Sequence, residues 1–415
     1  MDHSKIKYLL IFLIAALPTG SQAGGSAYSR YGFGDILRNG DSRTYAMSGT
    51  GISLIDDGFI NLLNPAGLAR ISYTRFSSGF EYTNFLSKDE TGSSFYSTGS
   101  FQGLAFAFPI SKEHGMVMAA EFNPYSKVRY GITALNIDTL IQEKTLYGSG
   151  GLSSMSLSIS ATPLNSLAVG ARLNYMYGST RQYQTSVTSN ASYTATTFDR
   201  NTYFSGFTLT LGAIYEGVAD LFSLPSLRPL TLGMTLTTAS ALDAELKETY
   251  PGISYTAGDT VVSTSGTAGL PLSLGFGLSY LFQDRYRFMG DIVSENWAST
   301  EYFGSRPADL RNSFRASAGF EALPAKEANS FWKRIVYRTG IAYHSTYYQI
   351  NGVGINEFLV SGGLGLPMGP ESQLNIGLQI GIRGSTDHHL QKDTIIRLSA
   401  AISASEIWFL RFDEE

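Results

Sequence analysis

Hydrophobicity in this chain alternates with a period of two, and it does so again and again up to the C-terminus. Between Pro271 and Phe282, Leu272, Leu274, Phe276, Leu278, Tyr280 and Phe282 share one parity, while Ser273, Gly275, Gly277 and Ser279 share the other. Between Leu374 and Arg383, Leu374, Ile376, Leu378, Ile380 and Ile382 alternate with Asn375, Gly377, Gln379, Gly381 and Arg383. Successive side chains of a strand point to opposite faces, so each segment predicts a strand with one apolar face and one small, polar face. The same alternation, less regular, marks 71–87, 93–110, 115–130, 150–161, 166–184, 202–216, 228–239, 271–282, 285–297, 312–321, 333–345, 356–366, 372–384 and 393–410. That predicts about 14 strands, an even count that suits a closed bacterial barrel. A tilted strand needs only about 9–11 residues to cross a bilayer.

Composition points the same way. Charged residues make up 15% of the 415 positions, with 25 Tyr, 25 Phe and 44 Gly. Soluble domains carry roughly 25% charged residues. A transmembrane barrel needs an apolar outer face, aromatic girdles and a polar interior. A soluble β-sandwich also alternates, but it buries its apolar face against a second sheet, and the low charge disfavours it. No basic stripe is visible and the net charge is −4, so nucleic acid is not an expected partner. The absence of cysteine excludes disulfides, thiol nucleophiles and thiolate metal sites.

Connection lengths alternate as well. Ser111–His114, Thr162–Asn165, Gln283–Asp284 and Met368–Glu371 read as tight turns; Ile132–Ser149, Thr185–Asn201, Thr238–Gly269 and Ala298–Arg311 read as long loops. Short periplasmic turns and long external loops are the pattern of outer-membrane barrels. Gly217–Leu227 and Ala322–Trp332 are of middling length on the short side. In the last strand, Trp408 and Phe412 are expected in the aromatic girdle, and Asp413-Glu414-Glu415 follows them.

The first 23 residues read as a signal peptide: Lys5 and Lys7, an apolar run from Tyr8 to Leu17, Pro18, then Ser21-Gln22-Ala23 as a cleavage site. The apolar run is about ten residues, too short to span a membrane. Residues 24–70 are Gly-rich and moderately apolar and do not read as one strand. Phe59, Ile60, Leu62 and Leu63 argue against a disordered arm and favour a plug folded into the lumen. The barrel itself is expected over 71–412.

Within that segment, Ala46-Met47-Ser48-Gly49-Thr50-Gly51, Asp56-Asp57 and Asn64-Pro65-Ala66-Gly67-Leu68-Ala69 resemble the start of the FadL family of outer-membrane transporters. The resemblance implies an N-terminal hatch with its motif at Asn64, Pro65 and Ala66. It also implies lumenal binding of a long-chain fatty acid or other hydrophobic small molecule, with lateral exit at a kink in the third strand. Asn123 and Pro124 are the candidates for that kink, since proline cannot donate to a ladder. A plain bulge near the rim is the alternative reading of the same residues.

Parity places Arg172, Arg287, Arg315, Arg338, Arg383, Arg397, Asp291, Glu295, Glu321 and His344 on the inward face. Of these, Arg172, Arg338, Arg383 and Arg397 are candidate ligand-binding residues, because guanidinium binds carboxylate in bidentate fashion. The structural alternative is that they pair with each other or with the plug. No catalytic residue, metal site or cofactor is expected. His114 and His388-His389 fall in connections, and no Gly-x-Ser-x-Gly elbow is apparent. The expected partners are outer-membrane lipid and a hydrophobic ligand, with the barrel a monomer in the Gram-negative outer membrane. A barrel that docks a secretion-shuttle or surface-attachment partner on its external loops is the alternative, and an open general porin a third.

Overall fold

The computed structural model describes residues 22–23, 25–37, 40–135, 141–188, 196–251, 259–325, 330–369 and 371–406. Fourteen antiparallel strands close into a barrel, numbered here in chain order. They are β1 (Thr74–Lys88), β2 (Ser93–Ser111), β3 (Met116–Pro124 and Ser126–Leu135), β4 (Ile141–Leu164) and β5 (Leu167–Thr188). Next come β6 (Thr196–Tyr215), β7 (Leu230–Thr237 and Ser240–Tyr250), β8 (Thr260–Leu270 and Ser273–Phe282), β9 (Tyr286–Glu295) and β10 (Ser313–Ala322). The last four are β11 (Val336–Ile350), β12 (Val353–Pro367), β13 (Gln373–Arg383) and β14 (Lys392–Glu406). Closure comes from β14 on β1, in register from Lys392↔Lys88 to Glu406↔Thr74. A closed ladder satisfies backbone groups that lipid cannot.

The parity reading describes the wall. Phe276, Leu278, Ile292, Phe358, Ile380 and Ile396 are exposed on its outside, while Asp291, Arg315, Arg338, Gln379 and Arg383 are buried on its inside. The tight turns lie at one end. Gln283 and Asp284 are both left-handed (φ 53° and 54°), the central residues of a turn closed by the Arg285 N–H on the Phe282 carbonyl.

Three expected loops are instead strand. Ile132–Ser149, Thr185–Asn201 and Thr238–Gly269 are, over their described residues, largely continuations of β3–β8. β4, β5 and β6 run for 24, 22 and 20 residues, against 10 for β9 and β10. Beyond the membrane both faces of a strand meet water, so apolar residues no longer alternate and the sequence signal vanishes. Ala298–Arg311 is irregular, as expected. Residues 1–21 of the expected signal peptide, and Trp408 and Phe412, lie outside the described residues.

Residues 25–37 and 40–71 touch strands all round the wall. A short helix, Ser42–Tyr45, packs on β12, β13 and β14, and a 3-10 helix, Pro65–Arg70, packs on β3, β4, β5 and β6. Asp41 caps the first by accepting from the N–H groups of Arg43 and Thr44. Asn64 caps the second through the N–H of Ala66. Inward glycines make room. A Cβ on Gly170 would lie 2.4 Å from the Pro65 carbonyl carbon, and one on Gly212 would lie 2.0 Å from Asn64 Oδ1. The small inward residues of the strands therefore accommodate a backbone packed against them.

Candidate functional site

Three layers fill the barrel from the turn end outward. The first is ionic. Glu321, fully buried, accepts from Arg43 (Nε and Nη2, both 3.0 Å), Arg287 (2.8 Å) and Arg338 (2.8 Å). Arg43 also bonds Asp56 at 2.7 Å. Three guanidiniums thus share two carboxylates, and Arg43 and Asp56 belong to the N-terminal segment while the others belong to the wall. Burying such charges is costly unless they are paired and hydrogen-bonded. Burial disfavours the Asp56 carboxylate, but Arg43 and then Arg287 outweigh it and hold its pKa below the ordinary value.

The second layer is backbone held by side chains. Asn64 Nδ2 donates to the carbonyls of Ile52 (2.8 Å), Ala213 and Met234 (both 3.3 Å), joining the segment to β6 and β7. Asp291 accepts from the N–H groups of Gly51 (2.7 Å) and Ile52 (3.0 Å). Arg315 donates to the Ser48 carbonyl, and the hydroxyls of Ser48 and Ser361 lie 2.8 Å apart. Pro65 and Ala66 are buried in the helical turn that Asn64 caps.

The third layer is aromatic and closes the extended end. Trp297, fully buried, stacks on Tyr347 with centroids 4.5 Å apart, and Phe33 of the N-terminal segment packs on Phe204 at 5.3 Å. Tyr348 donates to the Gly34 carbonyl at 2.7 Å. Ala298–Arg311 and the end of β11 thereby pin residues 28–35 beneath them.

The candidate ligand-binding arginines are all engaged by protein groups. Arg172 bonds Glu121 (3.2 Å) and the Leu62 carbonyl (2.7 Å); Arg338 bonds Glu321 and Asn375 (2.7 Å). Arg383 bonds Asp35 (2.7 Å) and Glu357 (3.2 Å), and Arg397 bonds Gln379 (2.7 Å) with Glu81 at 3.7 Å. The cavity between Tyr45, Arg315, His344, Glu357, Arg383 and Arg397 is about 60 Å³. Small-molecule pockets run to roughly 300–1,000 Å³. Sequence reasoning missed the partners Asp35, Arg43 and Asp56, since parity applies to strands and not to an irregular segment.

The wall itself is interrupted. The ladder between β2 and β3 runs from Ser111↔Met116 to Leu104↔Phe122 and then stops. β3 breaks after Pro124, where Tyr125 lies between its two parts. Among the described residues the buried Asn123 side-chain amide has no hydrogen-bond partner. From there outward, β2 and the second part of β3 part company and leave a notch. Residues 25–37 floor it: Asp35–Ile36 pair with Lys127–Ser126, and the Ser29 hydroxyl bonds the Arg129 carbonyl at 3.0 Å. Lys127 Nζ reaches across to Thr98 Oγ1 at 2.6 Å.

Outside the lumen, His114 bonds Ser111 in a tight turn, and His389 bonds Glu90. Among the described residues no group of three or more His, Asp or Glu could hold a metal ion.

A family model described as BamG matches residues 4–413. None of the curated proteins matches the chain. Among solved structures, a channel described as the CymD monoaromatic hydrocarbon channel superposes with a TM-score of 0.57 at 15% identity, over 91% of this chain and 99% of that one. A Pseudomonas aeruginosa FadL homologue gives 0.56 at 14% identity, over 90% and 99%. The Pseudomonas putida toluene transporter TodX gives 0.58 at 15%, over 90% and 99%. At such identities the likeness establishes the shared barrel fold. The FadL resemblance of residues 46–69 therefore holds for architecture, while the sequence family that matches is BamG.

Proposed function

The chain belongs to the BamG family, and from that premise and the packing of its interior we propose that it is an outer-membrane docking barrel for a protein partner. The observation that carries this reading is the filled lumen. Carboxylates satisfy the inward guanidiniums of Arg43, Arg172, Arg287, Arg338 and Arg383. An aromatic core seals the extended end. A conduit would have to separate several buried ion pairs, and a charge left buried without its partner is costly. The strands beyond the membrane supply the surface: β4–β8 form a tall wall on one side, with the β7–β8 hairpin paired from Ser240↔Leu270 to Tyr250↔Thr260. Replacing residues 244–266 by a short Gly-Ser turn should leave the barrel folded and remove a stoichiometric partner that co-purifies from native membranes. Retention of that partner would defeat the reading.

A second reading, passage of hydrophobic compounds with lateral exit, has the notch in its favour, because Asn123 and Pro124 stand where the β2–β3 ladder ends. It predicts saturable binding of a long-chain fatty acid or toluene to the purified barrel, weakened by Asn64→Ala or Pro124→Ala. The docking reading predicts no such binding and no loss of uptake in cells lacking the gene.

A further inference from the structure

The notch differs from the lumen in how its cations are treated. It encloses about 710 Å³, and its lining includes Tyr96, Lys127, Arg129, Tyr130, Tyr147 and Tyr183. Among the described residues, neither Lys127 nor Arg129 has a carboxylate within ion-pair distance, in contrast to the buried arginines of the lumen. The Lys127 ammonium spends its donors on neutral oxygens: Thr98 Oγ1, the Gly99 carbonyl at 3.3 Å and Ser100 Oγ. Asp89 also lines the notch, but its Oδ1 is occupied by the Thr91 and Gly92 N–H groups and the Thr91 hydroxyl, so it faces its own turn. Glu81 and Asp35 act on Lys127 only from beyond ion-pair distance and are engaged by other cations, Asp35 by Arg383 at 2.7 Å and Glu81 by Arg397 at 3.7 Å, so the two positive charges of the recess are not matched by carboxylates of their own. Tyr147 and Tyr183, partly exposed and 5.1 Å apart in a stack, offer rings whose hydroxyls suit a headgroup layer. Beside the recess, the exposed Phe80, Leu86 and Leu104 continue the apolar outer surface.

We propose that this notch binds the anionic headgroup of an amphiphile, hydrogen-bonded by the Arg129 guanidinium and attracted by the charge of Lys127, with the tails lying on the outer faces of β1 and β2. Gln22–Ala23 pair in parallel with Tyr96–Ser97 on the edge of β2, and among the described residues no ladder joins β2 to the second part of β3, so a lipid reaches the site from the side without crossing the lumen. The inference stands apart from the docking reading, since it needs no protein partner.

Native mass spectrometry of the full detergent-solubilised barrel tests it, with phosphatidylglycerol and phosphatidylcholine of identical acyl chains as probes. The expected result is one phosphatidylglycerol retained with about tenfold preference. That preference should be lost in Lys127→Gln with Arg129→Gln and kept in the charge-matched control Arg228→Gln with Arg334→Gln at the turn end. Both pairs should keep the wild-type heat-modifiability of the folded band in gel electrophoresis. If the notch pair fails that check, Arg129→Gln alone is read, and it must halve the preference or more. Equal retention of the two lipids, or an unchanged preference in the notch variants, would overturn the proposal. So would full displacement of the lipid by inorganic phosphate at equal concentration, which would assign the notch to a free anion.

Discussion

Glu321 receives three guanidiniums, and one of them, Arg43, arrives from 278 positions earlier in the chain. Removing its charge leaves Arg43 and Arg287 to share the Asp56 carboxylate and Arg338 with neutral partners alone. Glu321→Gln should therefore lower folded-state stability by about 3–5 kcal/mol, read as a lower temperature for conversion of the compact to the unfolded band. Gly212→Val should be at least as severe, because its Cβ would meet Asn64 Oδ1 and β6 cannot move independently of its neighbours. Asp56 carries a pH signature. Its pKa is depressed, so its contribution is present above the unfolded value of about 3.9 and is lost as pH falls through the folded value. Asp56→Asn should then be the less stable protein at neutral pH, with the gap closing below about pH 4. A gap that widened in acid would contradict the assigned pairing. The inward positions of Arg338 and Glu321, which pair with each other across β11 and β10, were legible in strand parity; the arrival of Arg43 at Glu321 and of Asp35 at Arg383 was not, because no periodicity fixes where the irregular segment comes to rest.

At the scale of elements, the membrane-crossing parts of the strands could be read from alternation because lipid meets one face and packed interior the other. The parts of β4–β8 outside the bilayer carried no such contrast, and their residues passed for loop. Elsewhere at the same end one signal was available: Asn351-Gly352, with φ of 51° and 79°, makes the tight turn between β11 and β12, and an Asn-Gly pair is a strong hairpin cue. Its recognition would have carried β11 and β12 outward to Ile350 and Val353. Trp297 shows that the irregular connection 296–311 is structural. Trp297→Ala should cost roughly 3–5 kcal/mol, the range for large buried aromatic truncations, and should free residues 28–35 to proteolysis at the extended end while the turn-end ion cluster persists. Retention of protease resistance would mean that the aromatic layer does not hold the segment.

For the whole molecule, two demands meet in one chain. Lipid requires a closed ladder with an apolar outside, and the polar inside must be satisfied without a water-filled pore. The N-terminal segment answers the second demand with its own backbone and charges, which occupy the interior beside a cavity of about 60 Å³. The absence of cysteine makes this directly testable, since paired cysteines are then the sole thiols. The decisive measurement is oxidative cross-linking of Ser48→Cys with Ser361→Cys, at hydroxyls 2.8 Å apart, in intact outer membranes. A near-complete intramolecular bond, seen as altered gel mobility reversed by reductant, is the predicted result. Free thiols at both positions after oxidation, open to a membrane-impermeant alkylating reagent, would mean the segment does not fill the barrel.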